Sequence, residues 1–457
     1  MNENLVLKIS NARHSVLKPR IGLLLKKYYS IMTPKSPFSI AIIGAGLGGL
    51  VLARVLQLNG ITVTVFEREP TSSSRGQGGS LDIHPETGQY ALETAQLTAQ
   101  FREVARPEGE ETKITDKHGT VVFEDLPPPT PEDHSSRDGQ GPPHGGRPEV
   151  DRGQLRQLLL DSLHPGTVQW EHNLESAQFS DDDQASLTFT RPSPARSVTF
   201  KFDVVVGADG AWSRTRRLLS PAQPTYTGVT FVDIQLALGD ANENGRDGNE
   251  EKEAAAARAE LTNFVGRGTL FALGDSRAII AQRNSSDVVR VYAAVRVPLG
   301  TFNVTTEEED LRAAVLQHFD GWAQKLRALI ALPDAKGFVV RPLWVLPSDH
   351  GWDTAPGGRV TLLGDAAHLL VPFAGAGANL AMADGADLGL ALAKAKTPSE
   401  LSERVREYES AMQERAKAEW EESMQNMDVF LSDSAPAAAV EKMKELMAGG
   451  GPPAESQ

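Results

Sequence analysis

The sequence predicts an α/β fold: a parallel sheet of Rossmann-like type, interrupted by a second, mixed-sheet domain and followed by C-terminal helices. Three observations predict it. Short apolar, β-branched runs enter glycine-rich turns at three separated places, near residues 40–49, 204–210 and 360–377, and such runs suit strands buried on both faces of a parallel sheet. Between the second and third of them, residues 225–340 carry several strand-like segments of alternating character. Beyond residue 398 the chain turns to charged segments of helical character.

The first unit is the most informative. Ile40 to Ile43 reads as a buried strand, and Gly44, Gly46 and Gly49 follow at G-x-G-x-x-G spacing. Gly44 permits the tight turn, Gly46 lets the backbone approach a pyrophosphate, and Gly49 lets the next helix lie close on the sheet. That helix, Leu47 to Leu58, points its amino end at the phosphates, where free N–H groups and the helix dipole are worth roughly 0.3–1 kcal/mol per anionic contact. Asn59-Gly60 ends it, Ile61, Val63 and Val65 alternate as a strand, and Glu67 closes that strand. An acid about 20 residues past the glycines can accept both hydroxyls of an adenosine ribose. A lone glycine fingerprint is weak, but strand, helix, strand and acid in register favour a nucleotide site over an ordinary turn.

The 457 residues suggest two or three domains at ~100–200 residues each. The absence of cysteine removes disulfides, thiolate zinc sites, iron–sulfur clusters and cysteine nucleophiles, and fits a reducing interior. A net charge of -14 argues against nucleic acid. No apolar run approaches the ~18 residues of a spanning helix, so no stable membrane insertion is expected. The first 37 residues are basic, with Lys8, Arg13, Lys18, Arg20, Lys26, Lys27 and Lys35 against the single acid Glu3. They read as a disordered extension, with Met32 as an alternative start; a mitochondrial presequence is the minor reading, and the expected location is cytoplasmic.

Further along, Arg75 to Gly79 form a donor-rich loop, and Gly79 to Gln89 read as a strand entering a helix with Asp82 and His84 close together. His84 reads as a packed or capping residue. Residues Leu126 to Arg147 are rich in proline and glycine and read as a long loop. Asp151 can cap a helix built on Leu155, Leu158, Leu159 and Leu163, which puts Arg152 in its first turn. A cation there opposes the helix dipole, so a solvated arginine and a contact with an anionic ligand stay open as alternatives. Short antiparallel strands follow near residues 168–171, 186–190 and 197–201. Val204 to Val206 then enters the Asp209-Gly210 turn, with Ser213 and Arg216 on the next helix.

Strands expected at 231–238, 269–273, 278–282 and 288–297 form the second sheet, with an acidic low-complexity insertion from Asp240 to Glu260. A third buried strand ends at Gly364-Asp365, where an acid is costly unless paired or open to a ligand cleft. Gly375, Ala376 and Gly377 precede a small-residue helix from Asn379 to Leu392, so a second helix end can address the ligand; His368 reads as structural. The resulting division is an extension at 1–37, a nucleotide domain at 38–224 and 341–397, a second domain at 225–340, a C-terminal helix at 398–431 and a tail at 432–457.

These pieces together resemble the class A FAD-dependent aromatic monooxygenases, the para-hydroxybenzoate hydroxylase-like group. The motifs that carry the likeness are GAGLGG at Gly44 to Gly49, GADGAWSRTR at Gly207 to Arg216 and GDAAHLLVPFAGAGAN at Gly364 to Asn379. More narrowly, GGSLDIHPETGQ, RPEVDRGQLRQLLLDSL and EESMQN are similar to segments of the tetracycline-inactivating flavin monooxygenases. The resemblance spans residues from about Phe38 to Phe430. It implies FAD held by Gly44, Gly46 and Gly49, with Glu67 on the adenosine ribose and Arg68 on the adenine side. Asp82 and Arg152 would lie toward the flavin, Asp365 on the ribityl or ribose hydroxyls, Gly375 to Gly377 and Asn379 at the flavin pyrimidine, and Asp209 in a segment shared by flavin and reduced nicotinamide.

In the second sheet, positions that face substrate in the tetracycline-inactivating enzymes fall on Thr269, Arg290 and Tyr292, which differ from the family's residues, so the pocket differs; Pro372 and Phe373 match. The implied activity is a single-component monooxygenase that takes hydride from NADPH or NADH and, with O₂, hydroxylates an aromatic or polycyclic small molecule through a flavin hydroperoxide. No side-chain nucleophile or metal is implied, and a monomer or weak dimer is expected. The rivals are another flavin oxidoreductase on the same fold, a halogenase or reductase, and a non-catalytic FAD-binding regulator. The halogenase W-x-W-x-I-P signature is absent.

Overall fold

The computed structural model describes residues 38–74, 78–126, 146–179, 184–192, 195–237, 249–303, 306–332 and 335–449. The basic extension, Arg75 to Gln77, most of the proline- and glycine-rich loop and the first half of the acidic insertion therefore lie outside the described residues.

The architecture is α/β, with a parallel sheet and a larger mixed sheet. Ile40–Ile43, wholly buried, is the centre of a five-stranded parallel sheet. It pairs with Val63–Phe66 on one side and Val204–Gly207 on the other, and Val168–Gln169 and Val360–Leu362 form the two edges. All three sequence units that run from a strand into a glycine turn thus lie side by side and empty their turns at the same end. A three-stranded antiparallel sheet of Asn173–Phe179, Ala185–Pro192 and Ala195–Phe202 covers one face. Phe66 stacks on Phe189 there, with ring centroids 4.3 Å apart.

Four helices border the site: α1 (Leu47–Leu58), α2 (Arg152–Asp161), α3 (Ala376–Lys394) and α4 (Pro398–Phe430). Glycine lets α1 and α3 touch backbone to backbone. A Cβ on Gly48 would lie 2.3 Å from the Ala381 carbonyl oxygen, and one on Gly385 would lie 2.3 Å from that of Gly48. The two helix starts are thereby locked side by side.

The seven-stranded mixed sheet runs Ala335–Val345, Thr225–Ala237, Val288–Arg296, Arg277–Arg283, Thr269–Gly274, Thr112–Asp116, Val121–Asp125. It draws two strands from before residue 225. One face buries Val232, Ile234, Leu270, Ile279, Val291 and Ala293 against Leu311, Val315, Leu326 and Leu329 of two covering helices. The other face buries Ile114, Phe231, Ile280 and Ala294 against Val371, Met427, Phe430 and Ala439.

Four local expectations need correction. The second half of the acidic insertion belongs to a helix, Asn249–Val265, because its alanine run has the highest helix propensity of any residue type. After Asp209 only a short 3₁₀ turn, Arg216–Leu218, forms instead of a helix. Asp151 occupies the cap position of α2 without a capping bond, since its carboxylate accepts from Arg106 and Ser285 instead. The segment assigned to the tail contains a further helix, Ala437–Gly449.

Candidate functional site

The glycine turn after Ile43 has the conformation its residues were chosen for. Gly44 has φ +110°, and a Cβ there would lie 2.2 Å from the Ala208 carbonyl oxygen, so the first turn is wedged against the second. Gly49 sits equally close to the Gly44 carbonyl oxygen, 2.4 Å from its would-be Cβ. Gly46 differs: a Cβ there would meet nothing within 4 Å, and the same holds for Gly210 and Gly377. Three turns from three parts of the chain therefore present bare backbone to open space. Bare backbone at such turns is what close approach of a dinucleotide would need, and the Gly46 cap of α1 leaves its first N–H groups without a side-chain partner.

Glu67 is buried and binds the turn itself: one carboxylate oxygen accepts the Ala45 N–H at 2.8 Å and the other the Glu69 N–H at 3.0 Å. Arg68 is exposed. Arg156, which sequence reasoning did not single out, is buried on α2; it donates to the Ala45 carbonyl at 2.9 Å and pairs with Glu69 at 3.3 Å. Its signal was faint, an arginine at an apolar position of the α2 stripe. Asp209 turns inward. Its oxygens accept from Ser213 Oγ, Arg214 N–H and Thr215 N–H at 2.5, 2.8 and 3.1 Å, so the carboxylate shapes its own loop. Arg216, 1% exposed, ties that loop to the third turn through the Ala211 and Ala366 carbonyls.

Asp365 keeps an exposed surface although protein surrounds it. Burial raises its carboxyl pKa against the opposing pull of Arg152, His368 and Arg216. The turn that carries it is held from behind. His368 Nε2 lies 2.6 Å from Asp384, and the same carboxylate oxygen accepts the Gly364 N–H at 3.0 Å. Arg415 of α4 completes the pair at 2.9 Å. Asp384 is held below the usual carboxylate range and His368 above the usual imidazole range, each by the other's charge against the cost of burial. The structural reading of His368 agrees with this geometry.

Gly375 starts α3 in the left-handed conformation, φ +67°, and a Cβ there would lie 2.9 Å from Asp82. Asp82 pairs with His84 at 2.8 Å. Asn379, 1% exposed, bonds the Asp82 carbonyl at 2.8 Å, the Gly375 carbonyl at 3.2 Å and the His84 N–H at 2.9 Å. It is a clasp between Ser80–Asp82 and α3. Arg152 donates its N–H to Gly79 at 3.1 Å, and its side chain packs near Gly78. Pro372 and Phe373 form a short turn before Gly375, and Ser423 and Asn426 of α4 hold the Val371 and Phe373 carbonyls.

The inward face of the mixed sheet supplies the opposite wall. Cross-strand pairing puts Thr269, Gln282 and Arg290 in one row and Phe271, Ile280, Tyr292 and Asp233 in the next. Arg290 is buried and grips Asp233 with two bonds, 2.7 and 2.6 Å, while its third nitrogen reaches the Gly78 carbonyl at 3.3 Å. Arg341 donates to the same carboxylate at 2.6 Å. Arg290 thus lies away from solvent, and each of its three nitrogens has a partner within the protein. Tyr292 is raised to about 12, first by burial and then by Asp233. Phe231, Phe373, Phe430 and Phe271 form a chain of ring contacts at 5.3–6.3 Å beside it.

Ser80–Asp82 pairs with Glu149–Asp151, which places Glu149 opposite Asp82. Glu149 is buried, accepts from Ser80 Oγ, and has its carboxyl raised to about 8 by burial and the Asp82 charge. Among the described residues no helix is long and apolar enough to cross a membrane.

A family profile described as "FAD binding domain" matches residues 38–329 and 348–423. The chain is 30% identical to "Monooxygenase penA" of Penicillium thymicola over 88% of this chain and 98% of that protein. Its structure is similar to that of Klebsiella pneumoniae HpxO complexed with FAD and uric acid, with a TM-score of 0.67, 20% identity, and coverage of 90% and 92% of the two chains. It is also similar to that of tetracycline destructase Tet(51), with a TM-score of 0.63, 19% identity, and coverage of 90% and 96%.

Proposed function

The chain belongs to the FAD binding domain family and is an FAD-dependent monooxygenase, and from that premise we propose that it consumes NADPH or NADH and hydroxylates an aromatic or polycyclic small molecule. The observation that carries the substrate class is the inward face of the mixed sheet, where an aromatic wall of Phe231, Tyr292, Phe271, Phe373 and Phe430 adjoins a carboxylate shared by two guanidinium groups. Rings bind rings through area and quadrupole complementarity. Two cations around one anion leave excess positive charge, which suits a substrate that ionises to a phenolate, enolate or carboxylate.

Bound FAD supplies the redox and oxygen chemistry; the chain supplies binding, orientation and electrostatics. In this reading Gly46 and the α1 N–H groups take the pyrophosphate, Glu67 and Arg68 the adenosine, and Asp365 the ribityl or ribose hydroxyls. The N–H groups at the start of α3, near Gly375, Ala376 and Gly377, address the flavin pyrimidine, where negative charge is stabilised without a titrating group. Arg152 faces the same ring. Asp82, Asp209 and Asn379 act through the loops they hold, Pro372 and Phe373 close the pocket, and Thr269 and Arg290 shape its sheet side.

Tetracycline-type polycycles carry an ionised enolate system and belong to the proposed class, so they head the compounds to test. Reduced nicotinamide, ¹⁸O₂ and a panel of phenols, polycyclic enols and tetracyclines are given to the flavin-loaded protein. The expected result is product carrying one labelled oxygen, with consumption of reductant that rises with substrate. Reductant consumption indifferent to every compound, with no labelled product, would remove the proposal.

A further inference from the structure

The ladder between Ser80–Asp82 and Glu149–Asp151 sets two acids face to face. The Ile83 N–H bonds the Pro148 carbonyl at 3.1 Å and the Arg152 N–H bonds the Gly79 carbonyl at 3.1 Å, so these positions and the Leu81–Val150 pair between them are the hydrogen-bonded ones. Asp82 and Glu149 therefore form the closer, non-hydrogen-bonded kind of pair, with Cα atoms about 4.5 Å apart and both side chains on one face of the ribbon. Two carboxylates so placed repel. Arg106, whose charge pulls on Glu149, gives its two terminal nitrogens elsewhere: to Asp151 at 2.9 Å, Ser80 Oγ at 2.8 Å and the Arg283 carbonyl at 3.0 Å. Glu149 is buried and accepts only from Ser80 Oγ among the described residues. Asp82 is more open, with its side chain 36% exposed and paired to His84 at 2.8 Å. One of its oxygens lies 2.9 Å from where a Cβ on Gly375 would stand, at the start of α3. The pair thus reaches from the core to the helix end assigned above to the flavin pyrimidine.

We propose that Asp82 and Glu149 hold one proton between them beside the flavin ring and supply the proton that turnover consumes. The inference rests on the function proposed above, whose balance is RH + NAD(P)H + O₂ + H⁺ → ROH + NAD(P)⁺ + H₂O. The O–H bond of the shared carboxyl breaks, its proton ends in the water formed, and solvent reprotonates the pair through the open edge of Asp82 and His84. Like charges a few ångströms apart favour retention of one proton. Burial and the Asp82 charge raise the Glu149 carboxyl to about 8, so the proton is in place at neutral pH. The surroundings act the same way. Asp151 faces Glu149 beside Arg106, Glu110 faces Asp82 from the Pro107–Glu110 turn, and Glu419 of α4 stands beyond His84, with Arg147 between those last two acids as a counterweight.

The test uses the flavin-loaded full chain without substrate, so that it is read apart from hydroxylation. The flavin midpoint potential is followed against pH. Negative charge arriving on the reduced ring tightens the hold on a neighbouring shared proton, so the potential should fall more steeply over a stretch at least about one pH unit wide, beginning near 8. Glu149→Gln should lose that stretch. Asp82→Asn removes the like charge and should move it to lower pH, and this variant serves alone if Glu149→Gln does not hold flavin. Reoxidation of the reduced protein by O₂ also takes up a proton, and should slow at least tenfold in either variant. A role confined to bracing the ladder would move neither reading while flavin stays bound. Three results would overturn the proposal: no steeper stretch in the parent, a stretch that persists unmoved in the variants, or reoxidation within twofold of the parent. A protein that hydroxylates nothing in the panel yet shows these effects would lose the substrate assignment and keep the proton pair.

Discussion

Removing the guanidinium of Arg290 leaves Asp233, itself 1% exposed, with only the half-exposed Arg341 beside it. Breaking a buried pair from one side costs about 3–5 kcal/mol because the remaining charge is stranded. Arg290→Met should therefore lower the melting temperature clearly, and a double change with Asp233→Asn should recover part of the loss. A variant as stable as the parent would show that Asp233 is hydrated. Glu149 gives a pH prediction. Its ordinary value is 4.5 and its folded value about 8, so between those limits the folded chain keeps a proton that the unfolded chain releases. Stability from this group is then lost as pH rises from about 4.5 to about 8, by up to roughly 1.4 kcal/mol per pH unit. Glu149→Gln cannot ionise and should flatten that slope in denaturant titrations across the window; an undiminished slope would move the effect elsewhere. At this scale the sequence was partly legible. Glu67 and Asp365 stand out because acids at strand ends beside glycine turns have few other reasons to be there. Asp233 was missed, although an acid inside the apolar run FVDIQL must find a partner; the partner, Arg290, lies 57 residues away, and proximity across strands is not written in local pattern.

The glycines fall into two classes that a substitution separates. Gly46 faces open space, so Gly46→Asp should fold normally yet emerge colourless, because its carboxylate meets the pyrophosphate. Gly385 faces the Gly48 carbonyl, so Gly385→Leu should force α1 and α3 apart and lose soluble folded protein along with its flavin. Absorbance at the flavin band and a melting curve distinguish the two outcomes; equal behaviour of the variants would contradict the division. The three strand-to-turn units were readable because β-branched runs and positive-φ glycines are local signals. The recruitment of Thr112–Asp116 and Val121–Asp125 into the mixed sheet was not, since it depends on a parallel pairing with Thr269–Gly274 across a long separation. The helix Asn249–Val265 was hidden by its acidic composition, which resembles that of unfolded chains even where alanine favours helix.

The family match starts at residue 38, and among the described residues the first buried one, Phe38, lies there too. Deleting residues 1–37 should leave flavin content and melting temperature unchanged, as measured on purified protein; a chain that no longer folds would make that stretch part of the core. The backbone contact between α1 and α3 has a consequence in time. The nucleotide turn is made by residues 44–49, yet the helix that braces it starts at Ala376 and the outer strand of its sheet at Val360. A growing polypeptide emerging from the ribosome therefore has Glu67, Arg156 and Ala208 to hold its phosphate turn early, but lacks the α3 contact for more than three hundred residues of synthesis. Stable cofactor capture is expected only once α3 has been made, and nascent chains stopped before residue 360 should leave the ribosome without flavin; flavin retained by such chains would show that the early contacts suffice.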